Sequence, residues 1–345
     1  MTRAPNSPNK PRVGITLGDP AGIGPEIVLK SVADSRVREA CLPVIIGDAV
    51  ELRNQANRLG LSCDYPSLSE RELSSDLTND IVICDTGSET VNAEIERIEW
   101  GVISSAAGRA AIKAIEAGVR LSLAGKLDAI ATAPINKEAL RLAGSAFPGH
   151  TEMLASLCGV AESLMCFFAG DLRVFLFTIH MSLADAIKAI TKERVRRAIV
   201  LADRELRRFG IARPRIAVAG LNPHAGEHGL FGSEEAREIE PAILECRALH
   251  DIDVSGPFPA DTLFVRAGRG EFDAVAACYH DQGLIAVKCI AFGEAVNVTL
   301  GLPIIRTSVD HGTAFDIAGR NLADHGSLVE AIKLAARLVI AERSN

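Results

Sequence analysis

Apolar runs of strand length alternate with segments of helical periodicity along nearly the whole chain. The early runs that predict strands are residues 13–17, 42–46, 80–84 and 128–133. Between and after them, segments such as 107–123 and 327–341 carry apolar residues at helical spacing, which predicts amphipathic helices. Such an alternation of strands and helices is typical of a parallel sheet with helices on both faces, so we expect an α/β fold.

Three later strands, predicted at 173–179, 215–221 and 273–279, are each followed by a histidine. These are His180, His224 and His280. The carboxyl ends of parallel strands share one edge of a sheet, so the three imidazoles can converge there and suit a divalent metal such as Zn²⁺. Taken singly, each histidine is more often a residue of the core or rim.

Two carboxylates lie close to these strand ends in the sequence. Asp281 follows His280 directly, and Asp261 lies in a Pro-Ala-Asp-Thr segment. Metal-bound histidines commonly donate their second N–H to a carboxylate, so both are candidates for that role. The alternative for Asp261 is that it caps the helix or turn that begins there.

Other polar clusters interrupt the apolar pattern. Residues 148–152 form a polar break before an apolar helix, where Thr151 is predicted as the N-cap and as a phosphate ligand. Lys288, Asn297 and Arg306 follow the His280 strand, and the two cations suit a phosphate or carboxylate. The alternative is that they are solvated side chains. Segment 310–320 mixes small and polar residues with two glycines, which is typical of a ligand-binding loop.

The length and net charge of the chain indicate its number of domains and argue against some classes of partner. At ~150 residues per domain, 345 residues predict about two domains. The net charge of −7 argues against a nucleic acid or an anionic membrane as the main partner. No run approaches the ~20 apolar residues of a membrane-spanning helix. Residues 1–11 are polar, predict a disordered tail and contain no secretory signal. The eight cysteines form no C-x-x-C pair, so we expect buried thiols and a cytoplasmic location.

Six motifs together resemble the 4-hydroxythreonine-4-phosphate dehydrogenase family of pyridoxal phosphate biosynthesis. They are residues 18–26 (GDPAGIGPE), 133–137 (APINK), 149–152 (GHTE), 222–227 (NPHAGE), 279–283 (YHDQG) and 297–303 (NVTLGLP). Segment 311–320 is also similar to the cofactor loop of isocitrate and isopropylmalate dehydrogenases. That superfamily binds NAD(P) without a G-x-G-x-x-G fingerprint, and this chain has no such fingerprint.

The resemblance implies two α/β/α domains with an interdomain cleft, in an isocitrate/isopropylmalate dehydrogenase-like fold. The first domain is expected at 12–135 plus 300–345 and contains the cofactor loop. The second is expected at 136–299 and carries the metal and dimer contacts. The resemblance also implies a homodimer whose active site is shared between subunits.

The activity that the resemblance implies is the metal-dependent, NAD- or NADP-linked oxidative decarboxylation of 4-phosphohydroxy-L-threonine to 3-amino-2-oxopropyl phosphate and CO₂. One divalent ion (Zn²⁺, Mg²⁺ or Co²⁺) would bind His180 and His224 of one subunit and His280 of the other. Asp261 and Asp281 would be structural acids of the catalytic site, and Lys137 and Asp281 are candidate proton donors. The implied substrate residues are His150, Thr151, Lys288, Asn297 and Arg306. The implied cofactor residues are His311, Gly312, Thr313, Ala314, Asp316 and Asp324.

Several departures and alternatives stay open. Asp324 stands where isopropylmalate enzymes have Asn, which leaves the group that contacts adenine undecided. Residues 166–168 and 181–183 also differ from many relatives and bear on substrate choice. A relative that oxidises D-erythronate or D-threonate 4-phosphate would share every metal and phosphate residue. The intact 149–152 motif argues against a dehydrogenase of phosphate-free cis-dihydrodiols. A metal- or nucleotide-binding module without turnover is the alternative outside enzymes.

Overall fold

A computed structural model describes residues 10–74, 80–87, 98–291 and 293–345. The chain divides into two compact units. The first unit comprises the residues up to Ala161 together with Leu302–Ile340, and the second comprises Glu162–Gly301 with Ala341–Asn345. Most of the disordered tail predicted at 1–11 lies outside the described residues. None of the described helices is long and apolar enough to cross a membrane.

A parallel sheet forms the centre of the first unit. Its described strands are β1 (Arg12–Thr16), β2 (Leu42–Gly47), β3 (Ser67–Leu68), β4 (Val82–Asp85), β5 (Ala129–Thr132) and β12 (Ile305–Ser308). They lie in the order β3-β4-β2-β1-β5-β12, and every described pair in this unit is parallel. In this register Ile15 lies opposite Ile45 of β2 and Ala131 of β5. All three are fully buried, which fits a sheet covered on both faces.

Helices cover this sheet, and polar caps and glycines set where they begin and end. The helices of this unit are α1 (Gly24–Ala33), α2 (Ser35–Ala40), α3 (Ala49–Leu59), α4 (Ser105–Leu123), α5 (Lys137–Leu142), α6 (His150–Leu157) and α12 (Gly326–Ser344), the last residues of which count with the second unit. Asp48 caps α3 through backbone N–H groups of its first turn. Gly60 ends α3 with φ +69°, the conformation that glycine adopts most readily.

The second unit contains a mixed sheet. Its described strands are β6 (Leu164–Ala169), β7 (Leu172–Leu176), β8 (Ile216–Ala219), β9 (Val254–Phe258), β10 (Ala274–Ala277) and β11 (Val296–Leu300). They lie in the order β11-β6-β7-β10-β8-β9. The β11-β6 and β6-β7 pairs are antiparallel, so the expectation of a wholly parallel sheet is wrong at this side. A two-residue connection joins β6 to β7, and such a short connection permits only antiparallel pairing.

Helices of the second unit pack on the parallel part of its sheet. They are α7 (Leu183–Ala189), α8 (Lys192–Arg208), α9 (Glu240–His250), α10 (Ala260–Gly268) and α11 (His280–Ile290). Leu263 and Phe264 of α10 and Leu284 of α11 share one apolar core with Val275 of β10. This packing fixes the start of α11 against the ends of the central strands.

The units divide at a different residue from the predicted domain boundary. The sequence places that boundary at 135, directly after β5, whereas the first unit continues to Ala161. The reason is that α5 and α6 remain on the first sheet, since Leu140 and Leu154 join the core beside Ile115 and Ile130. All eight cysteines are free thiols, and six of them are buried.

Candidate functional site

A tight loop follows β1 and packs on the segment that follows β5. Gly18 has φ +67°, and a Cβ there would lie 2.3 Å from the carbonyl oxygen of Pro134, so only glycine fits. The Asp19 N–H donates to the same carbonyl at 2.9 Å. The motifs at 18–26 and 133–137, far apart in sequence, therefore meet at the carboxyl edge of the first sheet.

Asp19 is a buried carboxylate that sequence reasoning did not single out. It is 1% exposed, and its Oδ1 accepts the Ala21 N–H at 2.8 Å, while Oδ2 is buried with no hydrogen-bond partner among the described residues. Burial raises the pKa of Asp19 to about 6, against the lowering effect of the backbone N–H groups of Ala21 and Asn136. A titratable group with such a pKa at a strand edge is typical of functional sites.

Arg306 lies inside β12, and its side chain is buried. It pairs in register with Ile130 of β5, so it shares a sheet face with Thr132 two residues further along. Its Nε and Nη2 atoms donate to the Thr132 hydroxyl at 3.2 and 2.7 Å. Arg306 is 2% exposed, and burial lowers the pKa of its guanidinium to about 9. A guanidinium held in this way is suited to an anionic ligand.

Helix α6 begins beside this arginine. Its first residue is His150, whose Nε2 is buried with no hydrogen-bond partner among the described residues. Burial, with a smaller contribution from the Arg306 charge, lowers the pKa of His150 well below its ordinary value. The prediction that Thr151 is the N-cap is wrong. Gly149 is the N-cap, in an extended conformation without a side-chain cap, and Thr151 lies in the first turn. The end of the helix is therefore open to an anion.

Lys137 is an exposed residue at the start of α5, close to the same helix end. Its Cε lies 3.8 Å from the position that a Cβ on Gly149 would take. Asn136 caps α5 by accepting the Ala139 N–H at 2.9 Å, which fixes where Lys137 leaves the main chain. Lys137, His150, Thr151 and Arg306 are thus all residues of the first unit, and their elements start or end at the same region of its sheet.

The predicted ligand loop is an irregular segment between β12 and α12. His311 bonds its own neighbour, Nδ1 to the Gly312 carbonyl at 3.0 Å, and its Nε2 is a buried atom without a described partner. The Thr313 carbonyl accepts the Ile23 N–H at 3.0 Å, and Ala314 adopts φ +42°. The loop therefore packs on the Gly-rich turn at 18–26, which keeps its backbone in one position.

The far end of this loop is tied to α1. Lys30 donates to the Asn321 and Ala323 carbonyls at 3.3 and 3.0 Å, and Glu26 accepts the Ala323 N–H at 2.8 Å. Asp324 accepts the Gly326 N–H at 2.8 Å at the start of α12. Asp324 thus has a structural partner in addition to its predicted role, whereas no side-chain contact among the described residues assigns one to Asp316. The sequence signal for this anchor was the pair Glu26 and Lys30. They lie four residues apart, at the end of the GDPAGIGPE motif and in the helix that follows it.

In the second unit, His180 and His280 lie close together. Their ring centroids are 5.6 Å apart. His280 is the first residue of α11, and its Nδ1 lies 2.7 Å from Asp281 Oδ1. The carboxylate orients the ring, so Nε2 is the nitrogen available to coordinate a metal. The structure thus brings together two of the three histidines that follow the predicted strands.

His224 lies in a turn of unusual backbone conformation. Five successive residues, 224–228, have positive φ values between 42° and 82°, and only Gly226 among them is a glycine. A left-handed conformation costs about 1–2 kcal/mol for each residue with a side chain, so the surroundings must impose it. Such enforced strain is typical of functional turns. The ring of His224 lies 6.1 Å from that of Phe231.

The remaining predicted residues of this unit occupy different settings. Asp261 is exposed in the first turn of α10, where Pro259 is the N-cap, so the helix-capping alternative for Asp261 is wrong. Lys288 is exposed in the last turn of α11. Asn297 lies on β11 opposite Phe167, and its Oδ1 is buried without a described partner. An orphaned amide oxygen is costly to bury, which favours a ligand at this point.

Two histidines of this chain are suited to a divalent metal, and they do not form a three-ligand group with other described residues. Among the residues that the structure describes, no group of three His, Cys, Asp or Glu side chains is positioned to hold an ion. His180 and His280 supply two imidazoles, and neutral imidazole is a common ligand of Zn²⁺ and related ions. His150, Asn297 and His311 each have a buried polar atom with no hydrogen-bond partner among the described residues. A bound ligand would supply the missing partners.

Comparison with known proteins places these features in one family. The model of the family described as pyridoxal phosphate biosynthetic protein PdxA matches residues 39–335. A D-threonate 4-phosphate dehydrogenase of Cupriavidus necator is 49% identical, over 95% of this chain and 97% of the relative. The crystal structure of a 4-hydroxythreonine-4-phosphate dehydrogenase from Burkholderia phymatum is 46% identical, with a TM-score of 0.83, over 96% of this chain and 98% of that one.

A more distant relative limits the inference about substrate. The structure of a terephthalate 1,2-cis-dihydrodiol dehydrogenase from Burkholderia xenovorans is 32% identical, with a TM-score of 0.67, over 95% of this chain and 98% of that one. These relatives are all dehydrogenases, and they confirm the predicted α/β fold class and the prediction of an enzyme. The chain belongs to the PdxA family.

Proposed function

We propose that the chain catalyses the NAD- or NADP-linked oxidative decarboxylation of a four-carbon 3-hydroxy acid that carries a phosphate on C4, with D-threonate 4-phosphate as the first candidate. The observation that carries the proposal is the buried Arg306 beside His150 at the open start of α6. A buried guanidinium and a helix N-terminus together suit a phosphate dianion. A carboxylate of a phosphate-free dihydrodiol carries a single negative charge, so it makes less use of a guanidinium and a helix N-terminus together.

Two substrates share this chemistry and differ only at C2. D-threonate 4-phosphate carries a hydroxyl there, and 4-phosphohydroxy-L-threonine carries an amine. The Cupriavidus necator relative is named for the first, and the Burkholderia phymatum structure for the second. We rank D-threonate 4-phosphate first because that relative is the more similar in sequence. D-erythronate 4-phosphate, the C2 epimer, is the third compound to compare.

The residues of the first unit would bind and orient the phosphate end. Arg306, His150 and Thr151 would hold the phosphate oxygens. Lys288 and Asn297, which belong to the second unit, are proposed as further substrate contacts. Binding energy from this non-reacting end fixes the position of the C3 hydrogen relative to the cofactor. The loop residues that would hold NAD or NADP are His311, Gly312, Thr313, Ala314, Asp316 and Asp324. The bound nicotinamide would supply the acceptor for the hydride of C3.

The residues of the second unit would act on the reacting carbons. His180 and His224 of one subunit and His280 of the partner subunit would hold one Zn²⁺, Mg²⁺ or Co²⁺. When bound, such an ion lowers the pKa of the C3 hydroxyl and stabilises negative charge on its oxygen as CO₂ leaves. Asp281 orients His280, with Asp261 as a further structural acid. Lys137 of the first unit, or alternatively Asp281, would return a proton to C2 after decarboxylation.

A homodimer with shared active sites follows from the same proposal. Apolar side chains are exposed next to the histidines, with Leu230 at 72%, Phe231 at 48% and Ile285 at 63% exposure. Such residues are typical of a protein interface. A reducing, cytoplasmic location is also proposed, supported by eight free thiols, six of them buried.

The test is a comparison of turnover with the purified protein. D-threonate 4-phosphate, D-erythronate 4-phosphate and 4-phosphohydroxy-L-threonine are supplied with NAD and with NADP, with and without a chelator. We expect chelator-sensitive release of CO₂ and reduced cofactor, with dihydroxyacetone phosphate as the product from threonate. Preference for the aminated substrate would move the chain to pyridoxal phosphate synthesis. Equal turnover of dephosphorylated threonate would overturn the phosphate assignment.

A further inference from the structure

The three histidine-bearing strand ends are joined to one another by side-chain hydrogen bonds, and Gln282 makes two of them. Its Oε1 accepts the Cys278 N–H at 2.7 Å, and its Nε2 donates to the Gly220 carbonyl at 2.8 Å. Cys278 lies two residues before His280, and Gly220 lies four residues before His224. One amide side chain therefore links the main chain that carries His280 to the main chain that carries His224.

Thr178 makes the corresponding link on the other side of β10. Its hydroxyl donates to the Cys278 carbonyl at 2.8 Å, and both residues are buried. Thr178 lies two residues before His180. The Phe177 N–H donates to the Ala277 carbonyl at 2.9 Å, which is where the backbone ladder between these strands ends. The hydroxyl of Thr178 thus continues the pairing beyond the last backbone hydrogen bond, up to the histidines.

A buried glutamate fixes the strained turn that carries His224. Glu235 is 3% exposed, and its Oε1 accepts the Asn222 N–H at 2.7 Å while its Oε2 accepts the Asn222 Nδ2 at 2.9 Å. Glu235 is the first residue of a π-helical segment, a rare form that is frequent at functional sites. The left-handed turn therefore starts from an anchored residue. We call Thr178, Cys278, Gln282 and Gly220 the strand-end network.

We propose that Gln282 and Thr178 are positioning residues that fix, within each subunit, the main chain from which His180, His224 and His280 are presented to a metal ion. This proposal rests on the metal site of the proposed function. Neither side chain needs to touch the metal or the substrate, because each acts on the main chain within two to four residues of a histidine. Groups that hold metal ligands in position without touching the metal typically change metal affinity or activity by ~10–100-fold when they are removed.

The chain offers matched variants that separate positioning from general stability. Thr178→Val removes the hydroxyl at constant shape, and Thr178→Ser keeps it. Thr307 is the control, because its buried hydroxyl also donates to a main-chain carbonyl, that of Ala331 at 2.9 Å, but in the first unit. Gln282→Met removes both bonds of Gln282. Gln282→Glu keeps an acceptor for Cys278 and removes the donor to Gly220.

The experiment titrates Zn²⁺ into the metal-free, full-length protein by calorimetry. The Zn²⁺ dissociation constant is expected to rise ~10–100-fold in Thr178→Val and Gln282→Met, and less in Gln282→Glu. Thr178→Ser and Thr307→Val are expected to stay within about twofold of wild type, by the same comparison. The proposal is overturned if Thr178→Val and Thr307→Val lose similar thermal stability and both keep wild-type Zn²⁺ affinity.

A second readout separates this proposal from the metal site itself. Side-chain ¹H–¹⁵N spectra of metal-free protein labelled on histidine report ring position and tautomer directly. We expect the His180 and His280 signals to move in Thr178→Val but not in Thr307→Val. If wild type binds no divalent ion, the proposed function fails, whereas these signals still decide the positioning role. Unchanged histidine signals in both Thr178→Val and Gln282→Met would overturn it.

Discussion

The two units prepare their functional residues by opposite physical means. In the first unit two of the functional candidates, Arg306 and Asp19, are charged or titratable groups removed from water, 2% and 1% exposed. In the second unit the His280 ring is 39% exposed, and its position depends on hydrogen bonds to Asp281 and along the strand-end network. The first unit thus holds charged groups away from water before a ligand binds, whereas the second unit holds its histidines in position by hydrogen bonds.

This difference matches the chemistry that each unit would perform. A phosphate dianion recovers the electrostatic energy that burial of a cation costs, so desolvation before binding favours tight and selective capture. A metal ion depends more on the distances between its ligands than on their burial, so fixed backbone positions matter most in the second unit. Substitutions should therefore separate into losses of substrate affinity and losses of metal affinity.

The largest expected effect is from His280→Ala in the second unit. Loss of one imidazole should remove the metal and lower kcat by at least ~10³-fold, because the ion contributes several kcal/mol to stabilising the developing charge. Metal content by mass spectrometry and steady-state turnover check this. His250→Ala, at the exposed end of α9, is the matched control and should keep both. Full activity of metal-free His280→Ala would contradict the proposed dependence of the second unit on a metal ion.

Arg306→Met tests the first unit and should separate function from stability. Loss of charge-assisted hydrogen bonds, at about 1.5–3 kcal/mol each, should lower kcat/KM by roughly 10²–10³-fold, mainly through KM. The free energy of unfolding should not fall, and should rise by up to about 3 kcal/mol, because burial of this guanidinium lowers its pKa to about 9. Kinetics and urea unfolding measure the two effects.

The control for this substitution is Arg36→Met. Arg36 is a half-exposed arginine that pairs with Asp34 in the first unit, outside the candidate site. It should leave kcat/KM unchanged and alter stability by less than about 1 kcal/mol. An Arg306→Met protein that binds substrate normally would show that the buried guanidinium is structural and that the phosphate lies elsewhere.

The sequence predicted where the strands and their histidines lie better than it predicted the strand pairings and hydrogen bonds that hold them in place. The positions of β7, β8 and β10 and the approach of His180 to His280 followed from apolar runs ending in polar residues. The spacing of apolar residues and the length of an apolar run are local properties, so a single sequence is enough to reveal them. The antiparallel pairing of β6 was not predicted, because a buried strand is an apolar run in either direction.

The features that sequence reasoning missed depend on pairs far apart in the chain. Gln282 contacts Gly220 across 62 residues, and the raised pKa of Asp19 arises from burial that its own neighbours do not reveal. The left-handed turn at 224–228 contains one glycine, so nothing in its composition indicates five positive φ values. Thr151 was a reasonable N-cap by residue type, but the extended Gly149 takes that position. Tertiary packing decides each of these.

Ile285→Asp tests whether the second unit is completed by a partner. Ile285 lies on α11, the helix that begins with His280, and is 63% exposed. A charge there should weaken self-association by roughly 30-fold or more, about 2 kcal/mol, and lower activity in a way that higher protein concentration restores. Sedimentation velocity and turnover at several concentrations measure this. Val50→Asp, 60% exposed on α3, is the control. A monomeric wild type with full turnover would contradict the shared site.

Asp19→Asn has the smallest expected effect and tests the cost of burial in the first unit. Burial raises the pKa of Asp19 from 3.8 to about 6, so the folded state binds this proton more tightly than the unfolded state. The contribution of Asp19 to stability is therefore fully present below about pH 4 and is lost as the pH rises through 6. At pH 7 the ionised carboxylate opposes folding by up to about 3 kcal/mol. Asp19→Asn should raise the free energy of unfolding at pH 7 by about 1–3 kcal/mol and flatten its dependence on pH between 4 and 6.

Urea unfolding between pH 4 and 7 measures this, and Asp34→Asn provides a control of opposite sign. The Arg36 side chain, through its hydrogen bond, lowers the pKa of Asp34 to about 2. The contribution of Asp34 is present above about pH 4 and is lost as the pH falls through 2, so Asp34→Asn should slightly lower stability at pH 7, by less than about 1 kcal/mol. Lower stability at pH 7 in both variants would mean that Asp19, like Asp34, is held by favourable partners. The contrast between a desolvated first unit and a hydrogen-bonded second unit would then rest on Arg306 and His150 alone.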